Sequence, residues 1–425
     1  MRRKPLPQIV SLSILLSLLA CQKADPSSQI SAEESAKRLK SVQAFARTLL
    51  EEQVASIKSL KLSDEQESYV GGSEAKELAV LQGLVRNLGG LMTATYLAEG
   101  SDGLDGMSFP DSKRRVLRDA HPKGLLCLNA SFEVQPNTLF SSGFLSQAAS
   151  YPAVVRFSSS APSVQTDKVS DIRGFAVKVR TENGSGRGHD FVNLSTPSFP
   201  TDTSGEFLDL VKVVRISKCG QDPRGFAACA ADTGVPNPIN LAVAASRLLK
   251  GGSGDPQNSL FQKTFFGVTS YRYAAEGEKL YFKFRFDPEA CPASPADSDL
   301  SLKSQDGKNF LAENVREVLS RQAACYGLKI VPLAEGSSAR VLEQHTKTWE
   351  EQGIAEQAVK VGTLRFEKNA KELDMTSCDE QTFSPDNASP GFQALGSLNR
   401  ARGLVYEKLA AFRKRLNQEI QKAGL

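Results

Sequence analysis

Hydrophobic positions follow two different periods along the chain, and the switch between them divides it. Leu39, Val42, Phe45, Ala46, Leu49, Leu50, Val54 and Ile57 recur every three or four residues, the spacing of an amphipathic helix. Leu78, Leu81, Leu84, Val85 and Leu88 repeat the pattern and predict a second helix from about Ser73 to Leu97. The middle of the chain changes to β-rich segments with period two: 125–134, 153–159, 172–180, 191–196, 264–273, 279–286 and 361–366 read as strands. Among them Leu280, Phe282, Phe284 and Phe286 alternate with Tyr281, Lys283 and Arg285. Helices are predicted at about 240–249 and 310–325. The helical period returns at the end, where Leu398, Val405, Leu409, Phe412, Leu416 and Ile420 mark a long closing helix.

Many strands with few helices between them argue against a doubly wound parallel sheet. The simplest solution is an α+β fold in which an antiparallel sheet closes into a barrel with helices packed outside. With 425 residues, 40% of them hydrophobic, the chain has ample material for such a core. A net charge of +4 with no long basic run gives no footprint for nucleic acid.

The N-terminus adds a destination. Arg2, Arg3 and Lys4 precede an apolar run, Ile9 to Leu19, that is too short to span a bilayer comfortably and reads as an export signal. Leu18-Leu19-Ala20-Cys21 resembles a bacterial lipobox, which implies cleavage before Cys21, acylation of its thiol and a lipid anchor in the membrane. Gln22 in the next place resembles lipoproteins sent on to the outer membrane. The expected division is a signal over 1–21, a polar tether over 22–35, a helical arm over 36–110 and the main domain over 111–425. Six further cysteines permit disulfides in an oxidising compartment, with Cys219–Cys229 and Cys291–Cys325 the expected pairs. No CxxC or Cys/His spacing suggests zinc.

Chemistry is concentrated in few residues. Arg402 and Tyr406 lie four apart on the closing helix, where a guanidinium reaches a phenol, and both are expected to face the body of the protein. A neighbouring cation favours the ionised phenol, which is a good ligand for ferric iron. His121, behind a group of arginines and with Pro122 and Gly124 fixing its backbone, is the candidate acid–base group. His345, among Glu343, Gln344, Thr346 and Lys347, reads as a polar surface residue, and His189 as a turn residue before a strand.

Four motifs in order then resemble one family. Arg118-Asp-Ala-His121-Pro-Lys-Gly124, Ala153-Val-Val-Arg156-Phe-Ser158, Asp171-Ile-Arg-Gly-Phe-Ala-Val-Lys178 and the ending Leu395-Gly-Ser-Leu-Asn-Arg-Ala-Arg-Gly-Leu-Val-Tyr406 are similar to those of the haem-dependent catalases, especially their small bacterial members. The resemblance implies haem b buried between barrel and closing helix. It gives Tyr406 as the iron ligand, Arg402 as the cation that keeps it ionised, His121 as the distal acid–base group and Ser158 as its hydrogen-bond partner. Arg118 and Arg156 match positions that contact haem propionates, and Phe207 matches an aromatic that packs on the haem.

One motif departs from the family. Asp190-Phe-Val-Asn-Leu-Ser-Thr-Pro197 places Ser195 where the family has its distal amide, with Asn193 a displaced substitute on the same strand face. The chain ends too soon after Tyr406 for the C-terminal domain of large members, and no Gly-rich fingerprint suggests a nicotinamide. The expected function is an exported, lipid-anchored haem peroxidase acting on hydrogen peroxide or organic hydroperoxides, with oligomeric state open. Rearrangement of a lipid hydroperoxide is a second reading on the same scaffold. The Ser195 departure leaves a third, a non-catalytic haem-binding envelope protein.

Overall fold

A computed structural model describes residues 31–64, 66–97, 114–181, 188–252, 258–275, 277–291, 299–355 and 357–425. The expected signal and the acylation of Cys21 lie outside the described residues.

Ten antiparallel strands form one sheet: β1 (Gly124–Val134), β2 (Ala149–Ser159), β3 (Arg173–Val179), β4 (His189–Leu194), β5 (Phe265–Phe266), β6 (Tyr271–Ala275), β7 (Glu278–Glu289), β8 (Ala324–Pro332), β9 (Val359–Phe366) and β10 (Phe392–Ala394). Pairing runs β7-β5-β4-β3-β2-β1-β9-β8, and β8 pairs back onto β7, so these strands close into a barrel with no free edge. β6 and β10 extend from the outside of β7. The fold is the α+β barrel that the sequence predicts.

Aromatic rings fill the barrel. Phe132, Phe157, Phe175, Phe191, Phe265, Phe286, Tyr326 and Phe366 are fully buried, and Phe175 stacks on Phe265 with centroids 4.6 Å apart. Each such side chain contributes roughly 1.5–3 kcal/mol of burial free energy.

Two expectations need correction here. The single strand expected over 264–273 is two strands, because the chain leaves the sheet at Gly267; a Cβ there would sit 2.4 Å from the Phe284 ring. The helix expected to reach Cys325 stops at Arg321, and Ala324–Pro332 is the strand that closes the barrel. A short apolar run cannot declare itself helix or strand, and pairing to both β7 and β9 decides for strand.

Eight helices surround the barrel among the described residues: α1 (Ala32–Ala55), α2 (Glu74–Tyr96), α3 (Ser204–Val211), α4 (Phe226–Asp232), α5 (Pro238–Gly252), α6 (Phe310–Arg321), α7 (Met375–Glu380) and α8 (Gly396–Lys422). The Ser31 side chain accepts the Glu34 N–H, so α1 begins at Ala32, inside the stretch read as tether. Leu49, Leu50, Leu81 and Val85 pack with Phe412 and Leu416, which joins α1, α2 and α8 in one layer. Gly89 permits the close approach of the first two, since a Cβ there would lie 2.4 Å from a Leu50 methyl. Cys219–Cys229 and Cys291–Cys325 are bonded as expected, and a third disulfide joins Cys127 of β1 to Cys378 of α7 across 251 residues of sequence.

Candidate functional site

His121 sits just before β1 with φ at 60°, a left-handed backbone that is uncommon outside glycine. Its carbonyl accepts from Arg156 Nη2 at 3.0 Å, and its Nδ1 lies 3.0 Å from Ser158 Oγ on β2. Gly174 of β3 makes the pair possible: a Cβ there would come within 2.6 Å of both the imidazole and the serine hydroxyl. Burial first, then the charges of Arg156, Arg118 and Arg402, lower the His121 pKa to about 3. The ring is therefore neutral at neutral pH. With Nδ1–H donating to Ser158, Nε2 carries the lone pair, and no protein group among the described residues engages it.

Beside it lies a buried group of arginines. Arg118 Nη1 and Arg156 Nε donate to Asp379 Oδ1 at 2.7 and 3.0 Å, and Arg115 Nη2 reaches Asp379 Oδ2 at 2.8 Å. Arg413 of α8 donates to the Asp379 carbonyl at 2.7 Å. Burial, reinforced by mutual repulsion, lowers the pKa of Arg118 and Arg156, and that of Arg413 to about 10. Burial pushes the Asp379 carboxyl up, but Arg156, Arg118, Arg115 and Arg413 together hold it below the usual carboxylate range. Arg115, Arg118 and Arg156 thus converge on the Asp379 carboxylate and Arg413 on its backbone carbonyl, and the cluster carries an excess of positive charge.

On α8, Arg402 is buried within the wall of the barrel. Its Nη1 donates to Thr269 Oγ1 at 2.8 Å and Asn399 Oδ1 at 3.0 Å, and its Nη2 to the Val192 carbonyl at 3.1 Å. Burial works against its charge, yet its pKa is raised, because the phenols of Tyr271 and Tyr406 lie beside it. Tyr406 departs from the expectation that both residues face the body of the protein. One turn further on, at the margin of the buried stripe of Leu398, Ala401 and Val405, the residue is 38% exposed. Asp386 completes this side; it lies against Gly403, where a Cβ would fall 1.7 Å from its carboxylate.

Asn193 and Ser195 have hydrogen-bond partners other than His121. Asn193 is buried on β4, but its Nδ2 donates to the Phe175 carbonyl at 2.9 Å, and its Oδ1 is without a partner. Ser195 Oγ accepts the Arg173 N–H at 2.8 Å. Neither is hydrogen-bonded to His121. Phe207, on α3, packs against the cluster that includes Leu117, Ala401 and Val405, with its ring 5.6 Å from that of Phe199. A cleft of about 240 Å³ lined by Pro200, Asp202, Asn240 and Arg247 shares no residue with the His121 or Tyr406 surroundings.

The two remaining histidines correct the sequence reading. His345 is fully buried, not on the surface: Asp202 takes the backbone N–H groups of His345 and Thr346 at 2.6 and 2.7 Å, which draws the segment inward. Both of its ring nitrogens are unpartnered, and burial, with Lys283 and Arg402 adding to it, holds its pKa well below the ordinary value. His189 opens β4 instead of a turn; its ring packs 4.5 Å from Phe191 and its Nδ1 accepts the Ser389 N–H at 3.1 Å.

Asp379, Tyr271, Thr269 and Asp386 are neighbours of the site that sequence reasoning missed. None stands within a recognisable motif: α7 brings in Asp379, the 384–392 loop Asp386, and the packing of Arg402 of α8 against the start of β6 reveals Thr269 and Tyr271.

Comparison with known proteins shows what the chain is similar to. The family model described as Catalase matches residues 104–422. The chain is 25% identical over 345 residues to "Catalase-2" of Bacillus subtilis, a match covering 77% of this chain and 49% of that one. It is 29% identical over 187 residues to "Catalase HPII" of Pseudomonas aeruginosa, covering 42% and 25%. The chain therefore spans at most about half the length of these curated relatives. A solved "bacterial catalase" superposes with a TM-score of 0.55 at 17% identity, covering 85% of this chain and 68% of the other. "Catalase A from Saccharomyces cerevisiae" gives 0.54 over 71% and 62%, also at 17% identity. Both likenesses speak to the fold.

Proposed function

The chain belongs to the catalase family, whose match takes in both His121 and Tyr406, and on that premise we propose that it is a haem b peroxidase of the cell envelope, acting on hydrogen peroxide or an organic hydroperoxide. What supports this reading is a neutral His121 imidazole with an open Nε2, its pKa lowered in part by Arg402, the buried arginine beside a partly uncovered Tyr406. Catalase-family proteins bind haem, and the residues here fit that group. A phenol left open on an otherwise buried helix face is an oxygen donor for iron. The arginine cluster has more positive than negative charge, as a site for two propionates requires.

Tyr406 would hold the iron, and Arg402, fixed by Thr269, Asn399 and the Val192 carbonyl, would favour its phenolate form. Arg118, Arg156 and Arg413 would hold the propionates. When bound, the haem supplies a redox-active ferric centre for peroxide. His121 supplies the proton traffic: Nε2 takes the proton from one peroxide oxygen and returns it to the other as the O–O bond breaks, while Ser158 keeps the ring oriented. Asn193 gives one of its two amide N–H groups to the Phe175 carbonyl, and Ser195 Oγ accepts the Arg173 N–H. Neither side chain is hydrogen-bonded to His121 among the described residues, and the serine standing in the place of the family's distal amide supports peroxidase turnover over rapid disproportionation. The basic and apolar N-terminus, the lipobox and three disulfides support export and lipid anchoring.

Load the chain with haem and record its visible spectrum, then assay hydrogen peroxide and cumene hydroperoxide against a phenolic reductant. Peroxidase turnover well above that of free haem is expected, and Tyr406→Phe should shift or abolish the Soret band. An unchanged band in that variant would sink the ligand assignment. Turnover at the level of free haem would leave the protein a haem carrier.

A further inference from the structure

Asp379 reaches the arginine cluster because its segment is fastened along the first strand of the barrel. The Asn129 N–H donates to the Lys371 carbonyl at 3.0 Å, and the Leu373 N–H to the Cys127 carbonyl at 2.8 Å. Gly124 makes room for α7, since a Cβ there would lie 2.2 Å from Met375 Sδ. The disulfide Cys127–Cys378 then locks α7 to β1, and the residue that follows it is Asp379. Cys127 and Cys378 are both fully buried with Val154, so this tether is internal.

From that fixed point the carboxylate and its carbonyl engage one part of each guanidinium. Arg118 is held by Asp379 Oδ1 and by the carbonyls of Asp379 and Gln381; Arg156 by Oδ1 and the His121 carbonyl; Arg413 by the Asp379 carbonyl. Arg118 Nε, Arg156 Nη1, and Arg413 Nε and Nη1 have no protein partner among the described residues. An arginine has five N–H donors in a rigid fork, so pinning one edge orients the others. One carboxylate does not neutralise the surrounding guanidiniums, which leaves demand for further anions at those open edges.

We propose that Asp379, tethered by Cys127–Cys378, is a positioning residue whose carboxylate presets Arg118 and Arg156, and whose backbone carbonyl holds Arg413, for the haem propionates. The proposal rests on the haem reading above. It separates the role of Asp379 from that of a general structural ion pair, because it acts on a ligand only through that ligand's carboxylates. Haem dimethyl ester, which lacks those charges, is the discriminating probe.

The test is a Soret titration of the full chain with haem and with haem dimethyl ester, together with the rate of haem transfer to apomyoglobin. Asp379→Asn is expected to weaken haem by about tenfold or more and to speed its transfer, with the ester unaffected. Asp379→Glu should restore part of the loss, and the double variant Cys127→Ser/Cys378→Ser, which frees α7 but keeps the carboxylate, should show a smaller loss of the same selectivity. Equal weakening of both pigments, or no weakening, overturns the proposal and leaves the haem reading standing. Where circular dichroism shows that Asp379→Asn does not fold, the double serine variant decides by the same criterion. Wild-type protein that binds neither pigment overturns the haem reading and the proposal together.

Discussion

Two buried ion networks hang on α8, and they balance their charges in opposite ways. Near its start, Arg400 faces two carboxylates: Nε and Nη2 meet Glu77 at 2.7 and 2.9 Å, and Nη1 meets Glu67 at 2.8 Å. Thirteen residues on, Arg413 donates to the backbone carbonyl of Asp379, whose carboxylate takes Arg115, Arg118 and Arg156. Both arginines of α8 are about nine-tenths buried. Burial disfavours the charge on each, but Glu77 and Glu67 raise the Arg400 pKa, whereas Arg413 is lowered to about 10. A closed network fastens the N-terminal arm to the closing helix. A network with more guanidiniums than carboxylates has the charge that the proposed propionate site requires.

The sharpest way to test that difference is to remove one arginine from each. Arg400→Ala strands Glu67 and Glu77 in the interior, and loss of one partner from a buried pair costs about 3–5 kcal/mol. Urea unfolding should show that loss with and without haem, and haem affinity should hold. A cost below about 1 kcal/mol would break the comparison. Arg413→Gln should do the reverse. It relieves a crowd of like charges, so the haem-free protein is expected to stay within about 1 kcal/mol of wild type, while haem binding weakens by about ten- to hundredfold, or roughly 1.4–2.8 kcal/mol. Stability and affinity falling together would make this network structural as well.

How much of this was legible in the sequence follows from how local each signal is. The period-two alternation of Leu280 to Phe286 announces a strand by itself, and the barrel follows from many such segments. The Arg402–Tyr406 spacing and the His121 motif are likewise written within one turn of helix or one strand entry. Ser158 could be named because its own motif carries it, although it meets His121 only through β1–β2 pairing. Asp379 could not, since Ser377-Cys378-Asp379-Glu380 looks like any polar helical turn until a disulfide spanning 251 residues brings it to β1. His345 misled for the converse reason. Polar neighbours in sequence suggested a surface, but the carboxylate that draws it inward, Asp202, is 143 residues away.

Asp386 lies between the two networks and gives the mildest test. It stands against Gly403, next to Arg402, but the guanidinium is hydrogen-bonded elsewhere. Burial raises the Asp386 pKa to about 6, with Arg402 lowering it and Glu407 raising it further. The unfolded value is near 3.9, so between about pH 4 and 6 the folded protein binds more protons than the unfolded one. Stability contributed by this group is therefore present at low pH and lost as pH rises through about 6. More than a third of the side chain remains exposed, so solvent screening discounts the effect to about 1 kcal/mol. Asp386→Asn removes the titration: its unfolding midpoint in urea should gain on wild type from pH 4.5 to pH 7.5. Parallel pH curves would mean that the carboxylate is already compensated, and that α8 carries charge surplus only where Arg118, Arg156 and Arg413 meet.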